Sequence, residues 1–265
     1  MQTNKLFSLV ALAATLALGF APLATHAETT SIFGPGDLVK GSGSTVYYFA
    51  SDGYRYVFPN EKTYFTWYKD FSSVKQITDG MLSTLPLARN NVTYRPGYKM
   101  VKVTTDPKTY VVDQGGVLRY VPSQELAQTL YGLSWNNKID DLPDSYFANY
   151  RVGTPLVTAA DFKPADIMTQ TTTISIDKQL DTNKVTVTIG TVGNGFVPPT
   201  ITVKSGSTVT WTSNDSTEHT IAGPWGSSQS LNYQGTYSHT FNTAGSFDYK
   251  DSQHTSMKGT INVVQ

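Results

Sequence analysis

The sequence predicts a mainly β protein, a C-terminal β-sandwich preceded by two small repeats that are each a β-hairpin followed by a short helix. Three observations carry this. Beyond Lys184 the chain is a succession of short alternating runs (VTVTIG, TITV, TVTWT, TYSHTF, SFDYK, TINVV) separated by Gly, Pro, Asn and Asp at sandwich-like intervals. Between residues 38 and 153 the chain repeats itself in order. A last loop, residues 247–259, reads FDYKDSQHTSMKG and spaces Asp251, His254 and Met257 as metal ligands are spaced.

At 265 residues the chain has the length of about two domains. Residues 1–27 read as a secretory signal peptide. Lys5 supplies the positive start, residues 6–20 an apolar stretch rich in Leu and Ala, and Thr25-His26-Ala27 a small-residue cleavage site. No later stretch is long and apolar enough to span a bilayer, which takes about 20 residues. The expected mature protein is therefore secreted, periplasmic or on the cell surface, with no membrane span. The 20 basic and 20 acidic residues cancel, and loss of Lys5 leaves 19 against 20, a net charge of −1. That balance excludes electrostatic recruitment to nucleic acid or anionic lipid. The cysteine count is zero, so no thiolate can ligate a metal and no lipidated cysteine can anchor the chain.

Within an N-terminal module spanning 28–155, the first copy covers about 38–97 and the second about 100–153. The pairing sets Val39-Lys40 on Val101-Lys102, Tyr47 on Tyr110, Arg55-Tyr56-Val57 on Arg119-Tyr120-Val121, and Pro59 on Pro122. It continues with Tyr68 on Tyr131, Ile77 on Ile139, and the Tyr-Arg-x-Gly ends at Tyr94 and Tyr150. Ser51-Asp52-Gly53 and Gly115-Gly116 are the hairpin turns, and Asn60 and Ser123 stand at helix starts, the second helix stopping at Gly132. Thirteen of the 16 tyrosines lie between Tyr47 and Tyr150. They serve either to fill thin cores or to form an aromatic surface for a cell-surface glycan or protein. The Val-Tyr-x-x-x-(Asp/Asn)-Gly-x-(Arg)-Tyr core resembles short modules found in tandem on secreted bacterial surface proteins, which implies an extracytoplasmic place. No motif inside the copies carries chemistry. Residues 156–183 lose periodicity around Pro164 and the Thr-rich run and read as a linker, with 172–176 alternating like an extra strand of either neighbour.

Residues 184–265 carry a second, more specific pattern. A Phe-x-Pro start (Phe196, Pro198) is followed by a Gly-x-x-Val-x-Trp strand (Gly206, Val209, Trp211) and an Asn-Asp loop leading to a histidine (Asn214, Asp215, His219). The ending is Tyr-x-x-x-x-His-x-x-Met-x-Gly (Tyr249, His254, Met257, Gly259). The domain resembles the small cupredoxins of the plastocyanin and amicyanin kind, the blue type 1 copper proteins. The resemblance implies a Greek-key β-sandwich, a copper site and electron transfer. It implies His219 and His254 as imidazole ligands and Met257 as a weak axial thioether, with Asp251 in the place of the ligand cysteine.

A carboxylate oxygen is a hard ligand, so Asp251 favours Cu(II) over Cu(I), and zinc also fits. Without a sulfur-to-copper bond the site should not be blue. His239 alternates with Tyr237 and Phe241 and is expected to pack rather than ligate. The function expected is thus an exported copper-binding protein with a non-blue His219/His254/Asp251 site, with or without Met257, serving copper handling or electron transfer. Its partners would be the metal ion and a redox or copper-delivery protein. The alternative is a metal-free surface or adhesion protein using both parts as interaction scaffolds. No enzyme is expected, because no second reactive group accompanies the site.

Overall fold

In the first N-terminal sheet, β1 (Leu38–Lys40), β2 (Tyr47–Phe49), β3 (Arg55–Val57) and β4 (Val74–Gln76) lie in the order β3-β2-β1-β4. Strand β1 is antiparallel to β2 and parallel to β4, the crossover being made by α1 (Glu61–Trp67). Asn60 starts that helix, its side chain accepting from the Thr63 N–H at 2.8 Å. A second helix, α2 (Asp79–Thr84), is capped by Thr78. The computed structural model describes residues 33–190 and 195–265, so the expected signal peptide lies outside the described residues. Among the described residues no helix is long and apolar enough to cross a membrane.

The second sheet contains β5 (Met100–Val103), β6 (Thr109–Asp113), β7 (Val117–Tyr120), β8 (Ile139–Leu142) and β9 (Arg151–Val152), ordered β8-β5-β6-β7-β9. Its helices are α3 (Gln124–Tyr131), capped by Ser123 and ended by Gly132 at φ 81°, and the short α4 (Asp144–Phe147). Strands β7-β6-β5-β8 have the order and directions of β3-β2-β1-β4.

Register corrects parts of the sequence pairing. Val39 faces Tyr47 and Val101 faces Tyr110, which agrees with it. However, Tyr47 faces Val57 while Tyr110 faces Tyr120, so Arg55-Tyr56-Val57 corresponds to Leu118-Arg119-Tyr120. Both turns hold three residues, 51–53 and 114–116, and leave no room for the one-residue gap that matching the arginines needs. Leu38 faces Val74 and Met100 faces Ile139, which makes Val74 the counterpart of Ile139, and Ile77 that of Leu142. The Tyr-Arg-x-Gly ends also differ in place. Val152 lies beside Leu118 in β9, a position taken in the first sheet by Leu87, whereas Gly97 leads into the second sheet and donates to the Val112 carbonyl.

The segment 156–183, expected as a linker, is anchored at several points in the cores of both modules. Leu156 and Phe162 enter the core of the second sheet with Met100 and Val111, and Ile174 enters that of the first with Leu38 and Tyr48. It carries α5 (Pro164–Gln170) and α6 (Ile174–Asp177). Residues 172–176 are thus largely helical rather than a strand, because Thr173 caps α6 by accepting from the Ile176 N–H.

Helix α6 ends in a buried carboxyl group. Burial raises Asp177 to about 6, against the opposing pull of the Gly115 N–H (2.8 Å), the Lys178 charge and Thr93. The folded protein therefore holds this proton to a higher pH than the unfolded chain. Stability from this group is greatest below about pH 4 and declines as pH rises through 6, by about 3 kcal/mol for a shift of two units. Asp177→Asn should gain about that much relative to the parent between pH 4 and 7 in urea denaturation. A difference between the two proteins that does not change with pH would refute this.

The C-terminal domain is the expected β-sandwich. One sheet is β11-β10-β13-β16, built from β10 (Lys184–Ile189), β11 (Phe196–Val197), β13 (Ser207–Ser213) and β16 (Thr236–Phe241). The other is β12-β18-β17-β14-β15, from β12 (Thr200–Lys204), β14 (Ile221–Gly223), β15 (Gly226–Ser227), β17 (Gly245–Asp251) and β18 (Lys258–Val264). Alternation sends Val209 and Trp211 inward from β13, to meet Ile201, Ile261 and Val263 of the facing sheet. Trp211 is fully buried and meets the Tyr249 ring edge-on at 5.2 Å. Tyr249 in turn lies over Gly259, where any Cβ would collide with the phenol.

The sandwich docks on the first module. The Thr186 N–H donates to the Ser51 carbonyl at 2.9 Å, and Gly53, at φ 82°, lets the turn close onto the Thr186 side chain. Val197 is buried among Phe33, Val39, Phe49 and Leu85, and Asn214 Nδ2 donates to the Thr84 carbonyl at the end of α2 at 3.3 Å.

Candidate metal centre

Three elements of the sandwich bring the polar groups together. His219 precedes β14 and is locked by a two-way backbone pair with Leu231, at 3.0 and 2.8 Å. Asp251 ends β17, opposite Ile221 of β14. The β17–β18 loop returns on itself: the Asp251 N–H donates to the Met257 carbonyl at 3.1 Å, and the Met257 N–H to the His254 carbonyl at 2.8 Å. That closure sets His254 beside Asp251, and the Ser252 N–H ties the loop to the Thr220 carbonyl.

The result is a cluster of His219, Asp251 and His254, whose ligand-type atoms lie within 4.8 Å of one another. Asp251 Oδ2 is 2.7 Å from His219 Nδ1 and 2.8 Å from His254 Nδ1. Asp251 Oδ1 accepts from the N–H groups of Thr220 (3.0 Å) and Gln253 (2.9 Å). Burial by itself would raise this carboxyl. The Thr220 and Gln253 N–H groups and the two imidazoles outweigh burial and hold it down at about 2. Asp251 is therefore an anion at neutral pH, at the place where the charge of a bound cation would fall.

His219 and Asp251 are fully buried, while the His254 side chain keeps 23 % of its surface exposed and is the cluster's opening to solvent. Met257 is buried in the sandwich core and joins the cluster through its backbone bonds. The donor set fits a divalent ion of the copper or zinc kind: two imidazole nitrogens and an ionised carboxylate. His239 stands apart from the cluster. It stacks on Trp225 at 5.2 Å and 17°, packs on Phe241, and is shifted toward its neutral form by burial, as the strand alternation predicts.

One neighbour entered the sequence pattern only as part of the loop leading to His219, with no role of its own. Asp215 Oδ1 lies 2.9 Å from His219 Nε2 and also accepts from the Thr217 N–H at 2.9 Å. In a loop, a carboxylate four residues before a histidine has no periodicity that would place the two together.

No family model matches the chain, and no curated protein matches it. Among solved structures, the chain is similar to a purple cupredoxin from Nitrosopumilus maritimus, at 25 % identity over 30 % of this chain and 98 % of that one, with a TM-score of 0.29. It is also similar to amicyanin from Paracoccus versutus, at 29 % identity over 30 % of this chain and 80 % of that one, with a TM-score of 0.28. The copper(I) form of a methionine-to-alanine mutant of amicyanin is 30 % identical over 30 % of this chain and 80 % of that one, with a TM-score of 0.28.

Proposed function

We propose that residues 184–265 form a cupredoxin-like domain that binds copper through His219, His254 and Asp251, with Met257 as a weak or absent fourth ligand. One observation carries the reading: two imidazole Nδ1 atoms converge on a single oxygen of one buried, ionised carboxylate. Buried anions are costly unless paired, and the two rings that pair this one are both copper ligands by chemistry. A bound ion would act as a Lewis acid or a one-electron carrier, and the chain's own groups would fix its surroundings. Asp251 supplies hard oxygen and compensating charge, His219 a rigid ligand inside the sandwich, and His254 the contact with solvent or a partner protein. An oxygen in the thiolate position favours Cu(II), which suits copper handling or delivery better than rapid electron transfer. In this reading the protein is exported, and its tyrosine-rich modules face a cell-surface partner.

The test is titration of the protein with Cu(II) and Zn(II), followed by calorimetry, optical spectra and EPR. One equivalent of Cu(II) should bind with no intense red-region absorption, and His219→Ala or His254→Ala should abolish that binding. An intense blue band, or affinity no tighter than that of a two-histidine surface pair, would sink the assignment.

A second reading, a metal-free surface scaffold, has one observation in its favour. Asp251 has all its acceptor positions served by protein donors, so the sandwich needs no ion to close this corner. The same titration decides between the two.

A further inference from the structure

We propose, on the basis of the metal-binding reading above, that Asp215 is a positioning residue of the centre. It fixes the ring of His219 so that Nδ1 faces the ion, and the first N-terminal module holds the loop that carries it. The ring of His219 is fully buried between two carboxylates, Nδ1 at 2.7 Å from Asp251 and Nε2 at 2.9 Å from Asp215. An imidazole that gives its Nδ1 lone pair to a metal carries its proton on Nε2, and a buried N–H needs an acceptor. Asp215 Oδ1 is that acceptor. If it were removed, the ring could turn over, and a buried donor would be left unpaired.

The acceptor is itself held. The Thr217 N–H donates to the same oxygen, and the Ser213 hydroxyl reaches the Asp215 carbonyl at 3.3 Å. One residue earlier, the Asn214 N–H donates to the Ile189 carbonyl at 2.9 Å and its side-chain amide to the Thr84 carbonyl of the first module. The loop is thereby pinned from the sandwich on one side and from α2 on the other. His254 has no comparable support. Among the described residues its ring makes one hydrogen bond, to Asp251. The two imidazoles are thus held differently, His219 through both ring nitrogens and His254 through one.

The test compares Asp215→Ala, Asp215→Asn and the parent by zinc competition against a chelator, with 15N NMR of the histidine rings. Asp215→Ala should weaken zinc binding about 10- to 100-fold, the usual cost of losing such a partner, whereas Asp215→Asn, which keeps an acceptor oxygen, should stay within about threefold. In the zinc-loaded parent the His219 Nε2 proton should be present and protected from exchange. A purely structural role for Asp215 would lower apo stability without moving that tautomer or the zinc affinity.

Parent-like affinity in the alanine variant, or an asparagine variant as weak as alanine, overturns the proposal. Should the alanine variant not fold, the parent's ring spectrum decides, and a metal-bound Nε2 refutes it. A parent that binds no zinc or copper takes down the metal reading itself, whereas a parent that binds beside an unaffected Asp215→Ala takes down only this role.

Discussion

Asp251→Cys, loaded with Cu(II), is expected to turn intensely blue while the parent binds the same ion with no intense red-region band. The substitution places a thiolate between two Nδ1 atoms that already converge on this position at 2.7 and 2.8 Å. Two imidazoles and a thiolate, with a distant methionine sulfur, are the donor set of blue-copper sites. The effect is large because a strong charge-transfer band appears where none existed. A variant that binds copper but stays pale would mean that the new thiolate does not bond the ion. A variant that binds nothing would mean that the cage depends on the carboxylate itself.

Asp251→Ala should cost the metal-free protein about 3–5 kcal/mol, the range for breaking a buried charged network by removing one partner. Four donors lose their acceptor at once: the N–H groups of Thr220 and Gln253 and the Nδ1 atoms of His219 and His254. Of the two rings only that of His254 can turn to water, since its side chain is 23 % exposed while that of His219 is fully buried. Urea denaturation in the presence of a chelator measures the loss. A change below about 1 kcal/mol would show that water serves the orphaned donors and that the network adds little. Together the two variants separate what Asp251 does for the fold from what it does for an ion.

The sandwich was legible because its strands alternate cleanly: Val209 and Trp211 point inward as period two requires. The cluster of Asp251, His254 and His219 was legible for a different reason. Asp251 and His254 share one short loop, so their spacing is their geometry, and His219 sits at the end of a neighbouring strand. What lay beyond sequence reasoning depended on contacts distant along the chain. Asp215 reaches Nε2 only because the 214–219 loop folds back over the sandwich edge. Val197 ends up in the core of the first module, among residues more than a hundred positions away. In the paired copies, matching arginines misled the register, because equal turn lengths fix strand pairing more firmly than side-chain identity does. Residues 172–176 alternate like a strand, yet a single threonine at the right position starts a helix there.

The contacts at Ser51, Val197 and Asn214 also have a mechanical meaning. Hydrogen bonds at two of these points and a shared apolar core at the third leave the first module and the sandwich without a hinge between them. The partly exposed imidazole of His254 is therefore aimed by the N-terminal end of the molecule. Anything that grips the first module sets the direction in which that ring looks out, as a mount sets the bearing of a lens.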